Sequence, residues 1–251
     1  MTYHHLRNAT AVIETETEYI LVDPMLGEVG SIEAFTYKRF PPLRNPLVAL
    51  PDQASGVLDK TTHALITHQH ADHLDEAGID FLKERHIPIT CSRLDADALK
   101  SKGLHVVQEL EYNKAVSFLG GTIQGIPATH GYGKVAELMG NVMGFFIELP
   151  NEPSLYLSSD TIYTQDVKDI ISKKEPDVSV IPCGSAQLDE HEPILMIMLD
   201  ILKFVEDCKG QVICNHLEAL NHCPTQRKDL KNNITLDTVW IPEDGAKKDY
   251  T

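Results

Sequence analysis

Residues 67 to 73 read Thr67-His68-Gln69-His70-Ala71-Asp72-His73, three imidazoles and a carboxylate within seven positions, directly after the apolar run His63-Ala64-Leu65-Ile66. Neutral imidazole nitrogen and carboxylate oxygen are ligands for a borderline-soft divalent ion such as zinc. His68 and His70 alternate and can point at one ion, while Asp72 and His73 point at a second. Burying such a cluster without a partner would carry a desolvation cost, and a metal ion is the simplest partner.

Three further ligand types stand just after apolar β-like runs: His130 after Ile126-Pro127-Ala128, Asp160 after Leu155-Tyr156-Leu157, and His216 after Val212-Ile213-Cys214. Four separate segments thus offer a ligand at the carboxyl end of an expected strand. If those strands are neighbours in a sandwich of sheets, the ligands gather along one edge. A lone histidine at a strand end is more often hydrogen-bonded or exposed, and His4, His63, His86 and His105 are read that way.

The elements that must position these groups follow from hydrophobic periodicity. Two early strands are expected at Ala11 to Thr15 and Tyr19 to Val22, followed by a long irregular stretch from Pro24 to about Asp59. Further strands are expected at Ala64 to Thr67, Ile87 to Cys91, Val116 to Leu119, Thr122 to Ile126, Val142 to Leu149, Ser154 to Ser158, Val178 to Pro182, Val212 to Cys214 and Val239 to Ile241. Apolar residues at three- and four-residue spacing predict helices over Leu74 to Glu84, Leu94 to Lys100, Gln165 to Lys173, Ile194 to Asp207 and Thr225 to Leu230, with Pro193 and Pro224 as helix-start residues. The Met-rich run Ile194 to Leu199 is read as core packing. A meander of strands followed by strands alternating with helices implies an α/β or α+β sandwich with sheets inside and helices outside.

The 251 residues are read as one domain, residues 1-251, with no repeat and no low-complexity linker. A formal net charge of -15 repels polyanions and argues against a nucleic-acid partner. No apolar run is long enough to span a bilayer, and the first residues lack the pattern of a secretory signal, so a cytoplasmic protein without a membrane partner is expected. Five cysteines without a C-x-x-C pair fit reduced thiols.

The Thr-His-x-His-x-Asp-His segment, with the later ligand positions, resembles the metallo-β-lactamase superfamily over nearly the whole chain. The resemblance implies a four-layer αββα sandwich. It implies that His68, His70 and His130 hold one metal, that Asp72, His73 and His216 hold a second, and that Asp160 bridges them. Asp23, in Val22-Asp23-Pro24, looks like the strand-ending aspartate that supports the site without ligating. Arg7-Asn8-Ala9-Thr10, Val22 to Leu26, His216 to His222 and Ile241 to Gly245 are similar to the branch of metal-dependent hydrolases that includes ascorbate-6-phosphate lactonase-like proteins.

What this implies chemically is hydrolysis. Two divalent ions, zinc or manganese with iron as a further option, acidify a bound water, and the resulting hydroxide attacks a small ester, lactone or amide. Asp72 orients the nucleophile and takes its proton, and His222 is the second catalytic candidate. Ser185, Gln187, Tyr132 and His191 are weighed as substrate contacts, and Cys183 as a buried thiol. The aromatic stretch Phe35 to Pro42 in the 24-59 loop is read as a lid or a homo-oligomer contact. Arg39, Arg44, Lys134 and Arg227 are the cations available to an anionic substrate. A phosphodiesterase, an iron-dependent oxidoreductase and a noncatalytic metal-binding protein are the alternative readings.

Overall fold

Alternation at period two divides the strands between two interiors. In the computed structural model, which describes residues 1–251, Ala11, Ile13, Ile20, Val22, Met143, Phe145 and Ile147 point into one shared core, while their neighbours Val12, Leu21 and Phe146 point outward into two others. That division requires two sheets face to face, each covered by helices on its outer side.

The first sheet runs in the order β14 (Lys247–Asp249), β1 (Thr2–Arg7), β2 (Thr10–Glu14), β3 (Tyr19–Val22), β4 (His63–Ile66), β5 (Ile89–Ser92) and β6 (Val106–Leu110). The second runs β13 (Val239–Trp240), β12 (Gln211–Asn215), β11 (Val178–Pro182), β10 (Leu155–Leu157), β9 (Met143–Glu148), β8 (Gly121–Pro127) and β7 (Ala115–Phe118). Each sheet has an antiparallel meander that turns parallel: from β3 onward in the first, from β10 onward in the second. Outside the first sheet lie α1 (Ala54–Leu58), α2 (Glu76–Glu84) and α3 (Arg93–Ser101), and outside the second α5 (Gln165–Lys173), α6 (Met198–Asp207) and α7 (Arg227–Asn233), with a short α4 (Val135–Leu138) near the sheet edge. The four-layer αββα sandwich is the expected one.

Local signals set the helix starts. Asp75, Ser92 and Thr164 cap α2, α3 and α5 by accepting from backbone N–H groups of their first turns. The expected helix over 194-207 begins four residues late, at Met198. Ile194 to Ile197 stays outside the helix because its backbone is used elsewhere: Ile194 N donates to Ala186 O, and the Ile194 and Met196 carbonyls accept from His130 Nδ1 and Ser185 Oγ. Ile194, Leu195 and Met196 are core residues, but Leu199 is 56% exposed, so only part of the Met-rich run packs inside. The helix expected from Thr225 starts at Arg227. Strands β1, β6 and β14 and helices α1 and α4 have no counterpart in the sequence reading. The stretch 24-59, expected to be irregular, ends in α1. No helix is long and apolar enough to cross a membrane.

The long segment after β3 is tied down by buried polar groups. Arg7, fully buried at the end of β1, donates to the carbonyls of Met25, Gly27 and Val48, and the Asp75 carboxylate accepts from Leu26 N and Gly27 N. Burial draws the Arg7 guanidinium down to about 10, still cationic near neutral pH.

Candidate metal centre

At the carboxyl end of β4 the chain leaves the sheet as Thr67 to His73, and a residue from the end of β3 holds it there. Asp23 Oδ1 accepts from Thr67 N at 2.8 Å, and Asp23 Oδ2 accepts from Thr67 Oγ1 at 2.7 Å and from His73 Nδ1 at 2.8 Å. Because the Thr67 hydroxyl proton goes to Asp23, the 3.0 Å contact of Thr67 Oγ1 with His68 Nδ1 is a bond the ring donates. Both rings therefore carry their proton on Nδ1 and turn an unprotonated Nε2 inward. Asn8 Nδ2 fixes the loop further by donating to Asp72 O.

The second sheet supplies the rest from three strand ends. After β8, His130 donates Nδ1–H to Ile194 O at 2.8 Å, which frees its Nε2. After β10 comes Asp160, and after β12 comes His216. Asp23, Ser159 and His216 have φ of +45°, +58° and +59°, left-handed values uncommon away from glycine, so the backbone is strained where the ligand types leave their strands.

All seven expected residues are brought together. The potential ligand atoms of His68, His70 and His130 lie within 4.8 Å of one another, as do those of Asp72, His73, Asp160 and His216. Asp160 Oδ2 stands between the sets, 3.4 Å from His130 Nε2 and 3.2 and 3.4 Å from the Nε2 atoms of His73 and His216. Asp72 Oδ2 is 3.2 Å from His216 Nε2. Only His70 is part-exposed, on the open side, and the other six are buried.

The donor set fits a cation. Nε2 of His73 and of His216 is buried with no hydrogen-bond partner, although carboxylate oxygens lie at 3.2 Å, because those oxygens are off the ring direction. Such orphaned nitrogens, facing buried carboxylates, are satisfied by a metal ion at the centre. Electrostatics agree. Burial opposes charge on His73, but Asp160, Asp23 and Asp72 outweigh it and raise the ring to about 10; without a cation the carboxylates draw protons instead. Burial holds His130 down to about 4 and His68 well below its usual value, which keeps both as neutral lone-pair donors.

A cleft of about 200 Å³ opens over the cluster, lined by His70, Asp72, His130, Asp160 and His222 and by the apolar groups of Phe35, Ala71, Met139, Leu188 and Ile194. No lysine or arginine lines it. Phe35 meets the His222 ring edge to face at 4.9 Å. Of the cations weighed for an anionic substrate, Arg44 pairs with Glu33, Arg227 with Glu218 and Asp244, and Arg39 with Gln187 Oε1.

The other candidates sort differently. Ser185 Oγ is committed to Met196 O and Thr225, Cys183 is buried against Ile181 O, His191 is exposed outside the cleft, and the Tyr132 hydroxyl is buried without a partner. Sequence reasoning missed Asn221 and Asp189. Asn221 Oδ1 accepts from Phe35 N and its Nδ2 donates to Thr36 O and Pro41 O, while the Asp189 carboxylate accepts from the backbone N–H groups of Tyr37, Lys38 and Arg39 and from the Thr36 hydroxyl. These two residues seat the loop that carries Phe35. The asparagine next to His222 was the one available signal.

Comparison with known proteins agrees with this architecture. The model of a beta-lactamase superfamily domain matches residues 18–216. The UPF0173 protein YddR of Bacillus subtilis is 30% identical over 251 residues, 98% of each chain. Among solved structures, one described as a possible metal-dependent hydrolase from Veillonella parvula superposes with a TM-score of 0.90 at 30% identity, covering 99% of this chain and 98% of that one. An isothiocyanate hydrolase from Delia radicum gut bacteria gives 0.88 at 27% identity over 100% and 99%. With ligand types at the ends of β4, β8, β10 and β12 and a family match across four-fifths of its length, the chain belongs to the beta-lactamase superfamily.

Proposed function

We propose that the protein is a metal-dependent hydrolase acting on a small, uncharged and largely apolar electrophile: an isothiocyanate, an ester or a lactone. The observation that carries this reading is the cleft, apolar on its walls, free of lysine and arginine, and open onto the histidine and aspartate cluster. His68, His70 and His130 would hold one divalent ion, Asp72, His73 and His216 a second, with Asp160 shared, and zinc or manganese suits these donors. Ions so held supply an acidified water and a positive field for the charge that develops on the substrate.

The chain's own residues do the rest. Asp72, which lines the cleft and approaches His216 Nε2, orients the attacking water and accepts its proton. Phe35, Met139, Leu188 and Ile194 enclose the apolar part of the substrate and exclude bulk water. His222, in the same wall, contacts the reacting group. The relative named for isothiocyanate hydrolysis, similar over the full length, supports trying that class first. The cleft speaks against a sugar-phosphate lactone and against a phosphodiester, because neither would meet a cationic side chain there.

The test is a turnover screen of purified protein, metal-replete and chelator-treated, on allyl and benzyl isothiocyanate, small aryl esters, neutral lactones and bis(p-nitrophenyl) phosphate. Metal-dependent turnover of a neutral substrate is expected, with the diester at least a hundredfold slower. A preference for the diester would reverse the assignment.

A further inference from the structure

Gln69 stands between two ligand-type residues, and its amide is held at both atoms. Nε2 donates to Asp95 Oδ1 at 2.9 Å, and Oε1 accepts from Lys102 Nζ at 3.1 Å. A carboxylate only accepts and an ammonium only donates, so this amide has a single orientation. Asp95 is 8% exposed, in the first turn of α3. Its other oxygen, Oδ2, accepts from Asn141 Nδ2, and Asn141 Oδ1 accepts from the Tyr112 hydroxyl at 2.5 Å. Asn141 lies in the stretch that leads into β9, two residues after Met139 of the cleft wall. One carboxylate thus ties the metal loop of the first sheet to the cleft wall of the second.

The ring that depends on this tie is His70. His68 is anchored through Thr67, His73 through Asp23 and His130 through the Ile194 carbonyl, each by Nδ1. The His70 ring nitrogens make one contact within the chain, Nδ1 to His68 Nε2 at 3.1 Å, and that neighbour belongs to the same ligand set. No hydrogen bond from outside the set reaches the ring. His70 is also part-exposed, so packing restrains it less than it does the buried ligand types. What holds it is its backbone: His70 O accepts from His73 N and Leu74 N on one side, and the Gln69 side chain is gripped on the other.

We propose that Asp95 is a positioning residue for His70: by gripping Gln69 it fixes the backbone from which that ring reaches the ion of the imidazole set. The inference rests on the metal-dependent reading above for the presence of that ion. A loop already in place binds an ion without first being ordered, and an outer partner of this kind is worth roughly ten- to a hundredfold in metal affinity.

The experiment reads zinc affinity, without turnover, by competition with a chromophoric chelator in the wild type, Asp95→Ala, Gln69→Met, the double variant, Asp95→Asn and Asn141→Ala. Asp95→Ala and Gln69→Met are each expected to weaken by at least about tenfold the same ion that His70→Ala removes, and to leave the other within about twofold. Because both act through one contact, the double variant is expected to be no weaker than Asp95→Ala. Asp95→Asn keeps an oxygen for Gln69, and Asn141→Ala leaves the Gln69 contact alone, so both stay within about threefold of the wild type. Gln69→Met removes the contact from a part-exposed loop side chain and keeps its length, so the test stands even where Asp95→Ala fails to fold. Unchanged affinity in Gln69→Met, or losses that add in the double variant, overturns the role of Asp95. Wild-type protein that takes up no zinc overturns the metal-dependent reading along with it, whereas equal uptake by the wild type and Gln69→Met overturns this inference alone.

Discussion

His68, His70 and His130 form a set of imidazoles with one member open to the cleft, whereas Asp72, His73, Asp160 and His216 are all buried and include two carboxylates. Burial keeps His68 and His130 neutral, but the carboxylates raise His73 and His216 far above their ordinary value against the opposing effect of burial. The first set offers lone pairs at little electrostatic demand. The second demands positive charge even when none is supplied. We expect the two sets, each holding one ion under the function proposed above, to differ in affinity and in what their loss does to the fold.

The largest effect should come from the residue that serves both sets. Asp23 accepts from His73 directly and reaches His68 through Thr67. Asp23→Ala leaves three buried donors without their acceptor, and a loss on the order of 3 kcal/mol or more is expected in urea unfolding, with metal content near zero. Retention of either ion would show that the sets are anchored independently. Next in size, stepwise chelation should remove the ion of the imidazole set first. His70→Ala should keep about one equivalent, bound at least tenfold more tightly than the one kept by His216→Ala, as read by competition with a chromophoric chelator. The reverse order would break the comparison.

A smaller effect belongs to the cleft. Phe35→Ala should raise KM for apolar substrates about tenfold, leaving metal content and the affinity difference untouched. The smallest effect separates acid loss of the cluster from that of the core. His63 is buried beside Thr90 and Phe118, and burial lowers its ring to about 4. The unfolded chain then binds a proton that the folded chain refuses. The contribution is fully present above about pH 6.5 and is lost as pH falls toward 4. His63→Gln should flatten that part of the pH profile in chemical denaturation, and an unchanged slope would place all the acid sensitivity in the metal cluster.

Much of this site could be read in advance because its parts are local. Four of the seven ligand-type residues sit in one segment, and the other three follow apolar runs whose β-pattern is plain. Helices α2, α3 and α5 fell within two residues of expectation because their apolar residues recur at three- and four-residue spacing, and their starts are set in the structure by the caps Asp75, Ser92 and Thr164. The start of α6 was misplaced because tertiary hydrogen bonds to Ala186, Ser185 and His130 claim the backbone of residues 194 to 197. Strand β6 escaped because Val106 to Leu110 alternates weakly on an edge, and β14 because Lys247 to Asp249 carries no apolar residue. The cleft wall was illegible for a different reason. Phe35 meets His222 only through Asp189 and Asn221, more than 150 residues away, and no local pattern encodes such a pairing.

The manner of that pairing has a consequence for how the protein can change. Asp189 and Asn221 grip the 35 to 41 segment almost wholly by its main-chain N–H and C=O groups, which every residue type except proline supplies in full. The side chains of Phe35, Tyr37, Lys38 and Arg39 are therefore open to replacement without undocking the loop. Substrate preference in this chain is expected to shift through Phe35, the one of these four that lines the cleft, while the metal-holding residues stay as they are.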